Sequence, residues 1–152
     1  MRVLIVFASM SGNTEDMAEL IKAELATNGV EIDMEEMDGY NASELLNYDG
    51  VLIGSYTWGD GDLPYEAEDF AEELAELDLT GVIAAVFGSG DRVYPAFCEA
   101  VHTFESILKN GGATVTAKGL EIEFDPNTDE ERAACRSFAN TFITALKQRQ
   151  TV

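Results

Sequence analysis

Between Lys22 and Arg92 the chain has no lysine or arginine, although eighteen aspartates and glutamates fall in that span. Nine basic residues in all face 29 acidic ones, for a formal net charge of −20. A surface this negative repels phosphate backbones and anionic lipid headgroups, which excludes nucleic acid and membrane surfaces as partners. Cysteine is scarce as well. Cys98 and Cys135 lie far apart and form no C-x-x-C pair, which argues against a disulfide scaffold and fits a reducing compartment. As packing residues, both read as small buried hydrophobes. The single histidine, His102, sits beside the apolar stripe of its helix as a solvated residue, and no His/Cys/carboxylate group has metal-ligand spacing. With three prolines, no Gly/Ser-rich stretch and no repeat, there is no linker, so residues 1–152 are expected to form one domain. No apolar run approaches the roughly 20 residues of a membrane span, and the chain enters a strand without a basic leader. A cytoplasmic protein is expected.

What the chain does have is a regular alternation of apolar runs with segments of helical period. Val3 to Phe7, Val51 to Ile53 and Val82 to Phe87 are unbroken apolar runs, as central parallel strands covered on both faces require. Val30, Ile32 and Met34 alternate with Glu31, Asp33 and Glu35, the pattern of a partly wet edge strand. The weaker segment Ala113 to Lys118, extended by Leu120 and Ile122, belongs at the other edge. Phe70, Leu74 and Leu77 form one helical stripe, and Phe97, Val101, Phe104 and Leu108 another. Thr128-Asp129-Glu130-Glu131 reads as a capping box that opens the last helix, while Asn28-Gly29 and Asn110-Gly111-Gly112 supply stops. The expected order is βα repeated five times. Right-handed crossovers then give an α/β fold, a doubly wound five-stranded parallel sheet in the order 2-1-3-4-5 with helices on both faces.

In such sheets ligands bind beyond the carboxyl ends of the strands, where three unusual loops are expected to meet. The first, Ser9-Met10-Ser11-Gly12-Asn13-Thr14, turns from strand into helix. It offers unpaired helical N–H groups, short hydroxyls and a glycine that lets the backbone come close. It has neither a Walker lysine nor a G-x-G-x-x-G series, which argues against a nucleoside triphosphatase and a standard dinucleotide site. A terminal phosphomonoester fits this cation-free cradle, although a Ser-rich turn alone is also an ordinary N-cap. The second loop runs Ser55-Tyr56-Thr57-Trp58-Gly59-Asp60-Gly61-Asp62 and the third Gly88-Ser89-Gly90-Asp91-Arg92-Val93-Tyr94; each sets one large aromatic beside glycines. A phosphate at one end and two aromatics at the other describe a flat conjugated ring with a phosphorylated tail. Flavin mononucleotide (FMN) matches both ends.

With these three motifs in this order, the chain resembles the short-chain flavodoxins over almost all of residues 1–147. The final strand leaves no room for the insertion of roughly twenty residues associated with long-chain members. The resemblance implies a carrier that holds FMN non-covalently, with Trp58 on one ring face, Tyr94 stacked on the other, and backbone groups around Ser89, Gly90 and Asp91 on the pyrimidine edge. Tyr56, Thr57, Phe97 and Cys98 complete the candidate cofactor contacts. Aromatic stacking favours the neutral oxidised ring and so disfavours reduction.

The resemblance also implies a redox switch at Gly59-Asp60, where a peptide free to rotate lets the Gly59 carbonyl accept a hydrogen bond from the N–H formed at flavin N5 on reduction, favouring the neutral semiquinone. An ordinary Gly-Asp turn is the alternative. Asp60, Asp62, Glu66, Glu68 and Asp69 are expected close to the ring, where they oppose a second, anionic reduction step and make it strongly reducing. Arg92, inside the Tyr94 loop, either softens that field or meets a partner.

The function implied is low-potential one-electron transfer between a flavodoxin/ferredoxin reductase and acceptor enzymes, by a monomer that meets basic-surfaced partners transiently. It is an electron carrier, not an enzyme. Three alternatives stand beside it: an FMN-dependent NAD(P)H:quinone-type reductase, which needs a nicotinamide site; a ribonucleotide reductase activating flavoprotein; and a receiver module. The last requires paired acids where Ala8-Ser9-Met10 stands.

Overall fold

The computed structural model describes residues 1–150, so Thr151 and Val152 of the expected domain lie outside the described residues. Six strands and four α-helices follow in the order β1 (Arg2–Ala8), α1 (Asn13–Ala26), β2 (Glu31–Glu36), β3 (Gly50–Ser55), α2 (Tyr65–Ala75), β4 (Ile83–Gly90), α3 (Glu99–Asn110), β5 (Thr114–Val115), β6 (Leu120–Glu123) and α4 (Asp129–Gln150). The sheet is parallel, in the order β2-β1-β3-β4-β5, with β6 also paired to β4. This is the doubly wound arrangement expected from the sequence.

Alternation along the strands divides the core in two. Leu4 and Val6 of β1, Val51 and Ile53 of β3, and Ala84 and Val86 of β4 face α2 and α3, where Phe70, Leu74, Val101, Phe104 and Leu108 cover them. Val3, Ile5, Leu52, Ala85 and Phe87 face α1 and α4, under Met17, Ile21, Leu25, Phe138 and Phe142. Strands buried on both faces cannot alternate apolar with polar residues, hence the unbroken runs.

Two elements depart from five regular βα units. The crossover between β2 and β3 is a 3-10 helix, Ala42–Asn47, and not an α-helix. The Asn41 side chain accepts the N–H of Ser43 and fixes a tight turn at its start. The edge strand is also broken. Ala84 pairs with Val115 and Phe87 with Leu120, so residues 116–119 stand opposite only Ala85 and Val86 and bulge from the sheet. The capping box forms as expected: Thr128 N–H donates to Glu131 Oε1 at 3.2 Å and Glu131 N–H to Thr128 Oγ1 at 3.0 Å.

Candidate functional site

The register of β1, β3 and β4 brings their carboxyl ends level, with Ala8 beside Ser55 and Gly54 beside Phe87. The three loops therefore leave the sheet from adjacent strands. At the first, Gly12 adopts a left-handed φ of 90° and α1 starts at Asn13. Ser9 Oγ accepts the N–H groups of Gly12, the N-cap residue, at 3.1 Å and of Glu15 in the first turn at 3.3 Å. Among the described residues, the N–H groups of Ser11, Asn13 and Thr14 donate to no protein acceptor. With the hydroxyls of Ser11 and Thr14 on the same turn, this donor set fits a phosphate held by dipoles. Met10, 66 % exposed, stands at its outer edge.

The second loop is closed on itself. Trp58 N–H donates to the Asp62 carbonyl at 2.8 Å, and the Trp58 carbonyl accepts from Asp62 N–H at 2.9 Å. Gly59 and Asp60 form the exposed tip, with Gly59 at φ 53°. Trp58 is 55 % exposed and shares with Met10, Tyr56, Leu63 and Tyr65 a cavity of about 520 Å³, rimmed by Asp62, Glu66 and Glu68. Asp69 does not line it. Thr57 turns the other way, its hydroxyl accepting the N–H of Ala100 at 2.9 Å in the first turn of α3.

In the third loop, Asp91 Oδ1 accepts Val93 N–H at 3.0 Å and the Asp91 carbonyl accepts Tyr94 N–H at 3.1 Å, a tight turn that leaves Tyr94 45 % exposed. Arg92 folds back from the loop. Its guanidinium lies 4.2 Å from the Phe97 ring centroid and its Nε 3.9 Å from Glu123 Oε1, while Glu123 Oε2 accepts the Arg92 N–H at 3.0 Å. The charge that sequence left open is thus paired with an acid on β6. Glu123 and Phe124, whose N–H donates to the Gly90 carbonyl at 2.9 Å, anchor this loop. Neither carries a local sequence signal, because each lies about thirty residues beyond the loop it holds.

Not every candidate faces the crevice. Cys98 is buried, with its sulfur 3.8 Å from the Gly88 carbonyl, and burial pushes its thiol up to about 12, leaving it protonated and unreactive. Phe97 is covered by Arg92. Ser89 is 2 % exposed and its hydroxyl lies 2.7 Å from that of Thr14. His102 stands between Glu105 at 3.7 Å and Glu121 at 3.5 Å, away from the loops. Among the described residues no group of three or more metal-ligating side chains could hold an ion, and no helix is long and apolar enough to cross a membrane.

A doubly wound sheet carrying a cation-free phosphate cradle and two exposed aromatics at its carboxyl edge defines an FMN-binding electron carrier. Comparison with known proteins agrees. The family model described as Flavodoxin matches residues 5–138. Probable flavodoxin 1 of Bacillus subtilis (strain 168) is 54 % identical over 142 residues, covering 93 % of this chain and 90 % of that protein. The crystal structure of oxidised flavodoxin 2 from Bacillus cereus superposes with a TM-score of 0.93 at 50 % identity, over 95 % of this chain and 99 % of that one. A short-chain flavodoxin associated with a non-canonical PDU bacterial microcompartment gives a TM-score of 0.92 at 28 % identity, covering 96 % and 99 %. The chain belongs to the flavodoxin family, in its short-chain form. Proteins of this family bind FMN and transfer electrons to and from redox partners.

Proposed function

We propose that this chain holds FMN across the three loops and shuttles single electrons between a reductase and acceptor enzymes with basic surfaces. It acts as a single-domain monomer in the cytoplasm. When bound, FMN would supply the one-electron chemistry, and the residues of the three loops would bind and orient it. The observation that carries the reading is the convergence of three loops from adjacent strands, with free N–H groups at one and a half-exposed aromatic at each of the others.

In this reading Ser11, Asn13 and Thr14 donate to the phosphate, with Ser9 and Gly12 shaping the turn and Met10 flanking it. Trp58 and Tyr94 cover the two ring faces. Tyr56 and Thr57 fix the Trp58 loop, and the backbone of Ser89, Gly90 and Asp91, backed by Phe97 and Cys98, meets the pyrimidine edge. The Gly59 carbonyl would be placed to accept a hydrogen bond from a protonated N5 of the flavin, and the neighbouring Asp60, Asp62 and Glu68 would raise the cost of adding a second negative charge there. Those same acids steer basic partners towards the exposed edge.

The test mixes the FMN-loaded, chemically reduced chain with cytochrome c, a basic one-electron acceptor, across a salt series. Electrons should pass at a rate that falls as the Debye length shrinks from about 30 Å at 0.01 M to about 8 Å at 0.15 M. Neutralising Asp62→Asn together with Glu68→Gln should flatten that dependence. Absence of transfer contradicts the carrier role; a rate indifferent to salt contradicts the acidic docking face.

A further inference from the structure

The hydroxyls of Thr14 and Ser89 lie 2.7 Å apart, 75 positions apart in sequence, on residues 1 % and 2 % exposed. Thr14 is in the first turn of α1 and Ser89 near the end of β4. Ser89 continues the row Ile83, Ala85 and Phe87, so strand alternation turns it away from α3 and onto the face that α1 covers. It is the polar end of an otherwise apolar row. No other hydrogen bond is made by either hydroxyl among the described residues.

Two hydroxyls carry two protons, and one is consumed in the bond between them. The other belongs to whichever oxygen accepts. If Thr14 donates to Ser89, the free proton sits on Ser89 and is lost to the phosphate cradle. If Ser89 donates to Thr14, Thr14 keeps its own proton for an outside acceptor. A dianionic phosphate near the α1 N-terminus selects the second arrangement, because the Ser89 O–H then polarises the Thr14 O–H that points at negative charge.

We infer that Ser89 is a positioning residue for phosphate recognition: it donates to Thr14 and directs the Thr14 proton to the phosphate of the cofactor. The inference rests on the FMN reading given above and adds to it a residue from the third loop that serves the first. It also assigns the Ser89 side chain to the phosphate end, with only its backbone left for the ring. The Ser89 hydroxyl therefore sets the preference for a phosphorylated over an unphosphorylated flavin without touching either.

The experiment titrates cofactor-free protein with FMN and, separately, with riboflavin, which has the same ring and no phosphate. The parent chain is compared with Ser89→Ala, Ser89→Thr, Thr14→Val and the double variant Thr14→Val/Ser89→Ala, with folding of each followed by circular dichroism. Ser89→Ala should weaken FMN about fivefold, the loss of one cooperative hydroxyl bond, and leave riboflavin nearly unchanged. Ser89→Thr, which keeps the hydroxyl on a β-branched side chain suited to a strand, should restore FMN binding. In the Thr14→Val background, removing the Ser89 hydroxyl should change the FMN-to-riboflavin ratio no further. Equal weakening of both flavins by Ser89→Ala overturns the inference, as does an effect that persists undiminished without the Thr14 hydroxyl. Tighter FMN binding by Ser89→Ala also overturns it, since the pair would then be competing with the phosphate. A parent chain that binds neither flavin overturns the cofactor reading itself, a result separate from any of these.

Discussion

The Tyr56 hydroxyl donates to Glu66 Oε1 at 2.7 Å, tying the end of β3 to the first turn of α2 beneath the Trp58 loop. Glu66 is therefore a structural partner as well as one acid of a negative rim. Burial, and then the carboxylate it faces, push the Tyr56 phenol well above its ordinary value, so it stays a donor across the accessible pH range.

Tyr56→Phe removes that donor and leaves a carboxylate with one fewer bond. The expected loss of stability is about 1 kcal/mol, because the pair is only partly buried and water replaces some of the interaction. Urea denaturation of the cofactor-free chain measures it. A variant as stable as the parent would show that the Tyr56–Glu66 bond contributes nothing to the loop.

On the edge strand β2, Asp33 accepts the Tyr48 hydroxyl at 2.6 Å and the Arg2 guanidinium at 3.1 Å, with Arg2 also lying 4.7 Å from the Tyr48 ring centroid. The Tyr48 bond first, then Arg2, holds the Asp33 carboxyl below its ordinary value of 3.8. A carboxylate whose value is lower in the folded state adds stability above the unfolded value and loses it as pH falls through the folded one. Asp33→Asn should therefore destabilise the chain at neutral pH and reduce the slope of its acid limb below about pH 4. Thermal unfolding at several pH values checks this; parallel curves for parent and variant would contradict it.

Gly59 is the tip residue of the closed Trp58–Asp62 turn, at a φ of 53° that β-branched side chains avoid. Gly59→Val should oppose, by roughly 1 to 3 kcal/mol, the peptide orientation that turns the Gly59 carbonyl towards a protonated N5. With about 1.4 kcal/mol to a factor of ten, the one-electron-reduced form should fall by about one to two orders of magnitude in its formation constant. Oxidised FMN binding should change much less, since that state has no N5–H to donate to the Gly59 carbonyl. A redox titration of the variant at a single pH distinguishes these outcomes. Full accumulation of the one-electron-reduced form would remove any switching role for Gly59.

The central strands and the three loops were legible because each rests on a local pattern: unbroken apolar residues for burial on two faces, and glycine with short polar side chains where strand turns into helix. The 3-10 crossover at Ala42–Asn47 was not, because its geometry depends on one side chain, Asn41, competing for the backbone. Long-range partners were also hidden. Nothing near Arg92 announces Glu123 as its anchor, and nothing near Thr14 announces Ser89. For Ser89 a signal did exist in the parity of β4, since counting by twos from Ile83 through Phe87 puts it on the α1 face. Glycines on both sides made it read as a ring-loop residue.

The central claim is a one-electron carrier, and stepwise reduction of the FMN-loaded chain under visible spectroscopy tests it most directly. The account predicts a yellow oxidised protein that develops long-wavelength blue absorbance after the first electron and bleaches after the second. Bleaching in one step with no blue intermediate, or a chain that gains no flavin absorbance when FMN is added, would contradict it.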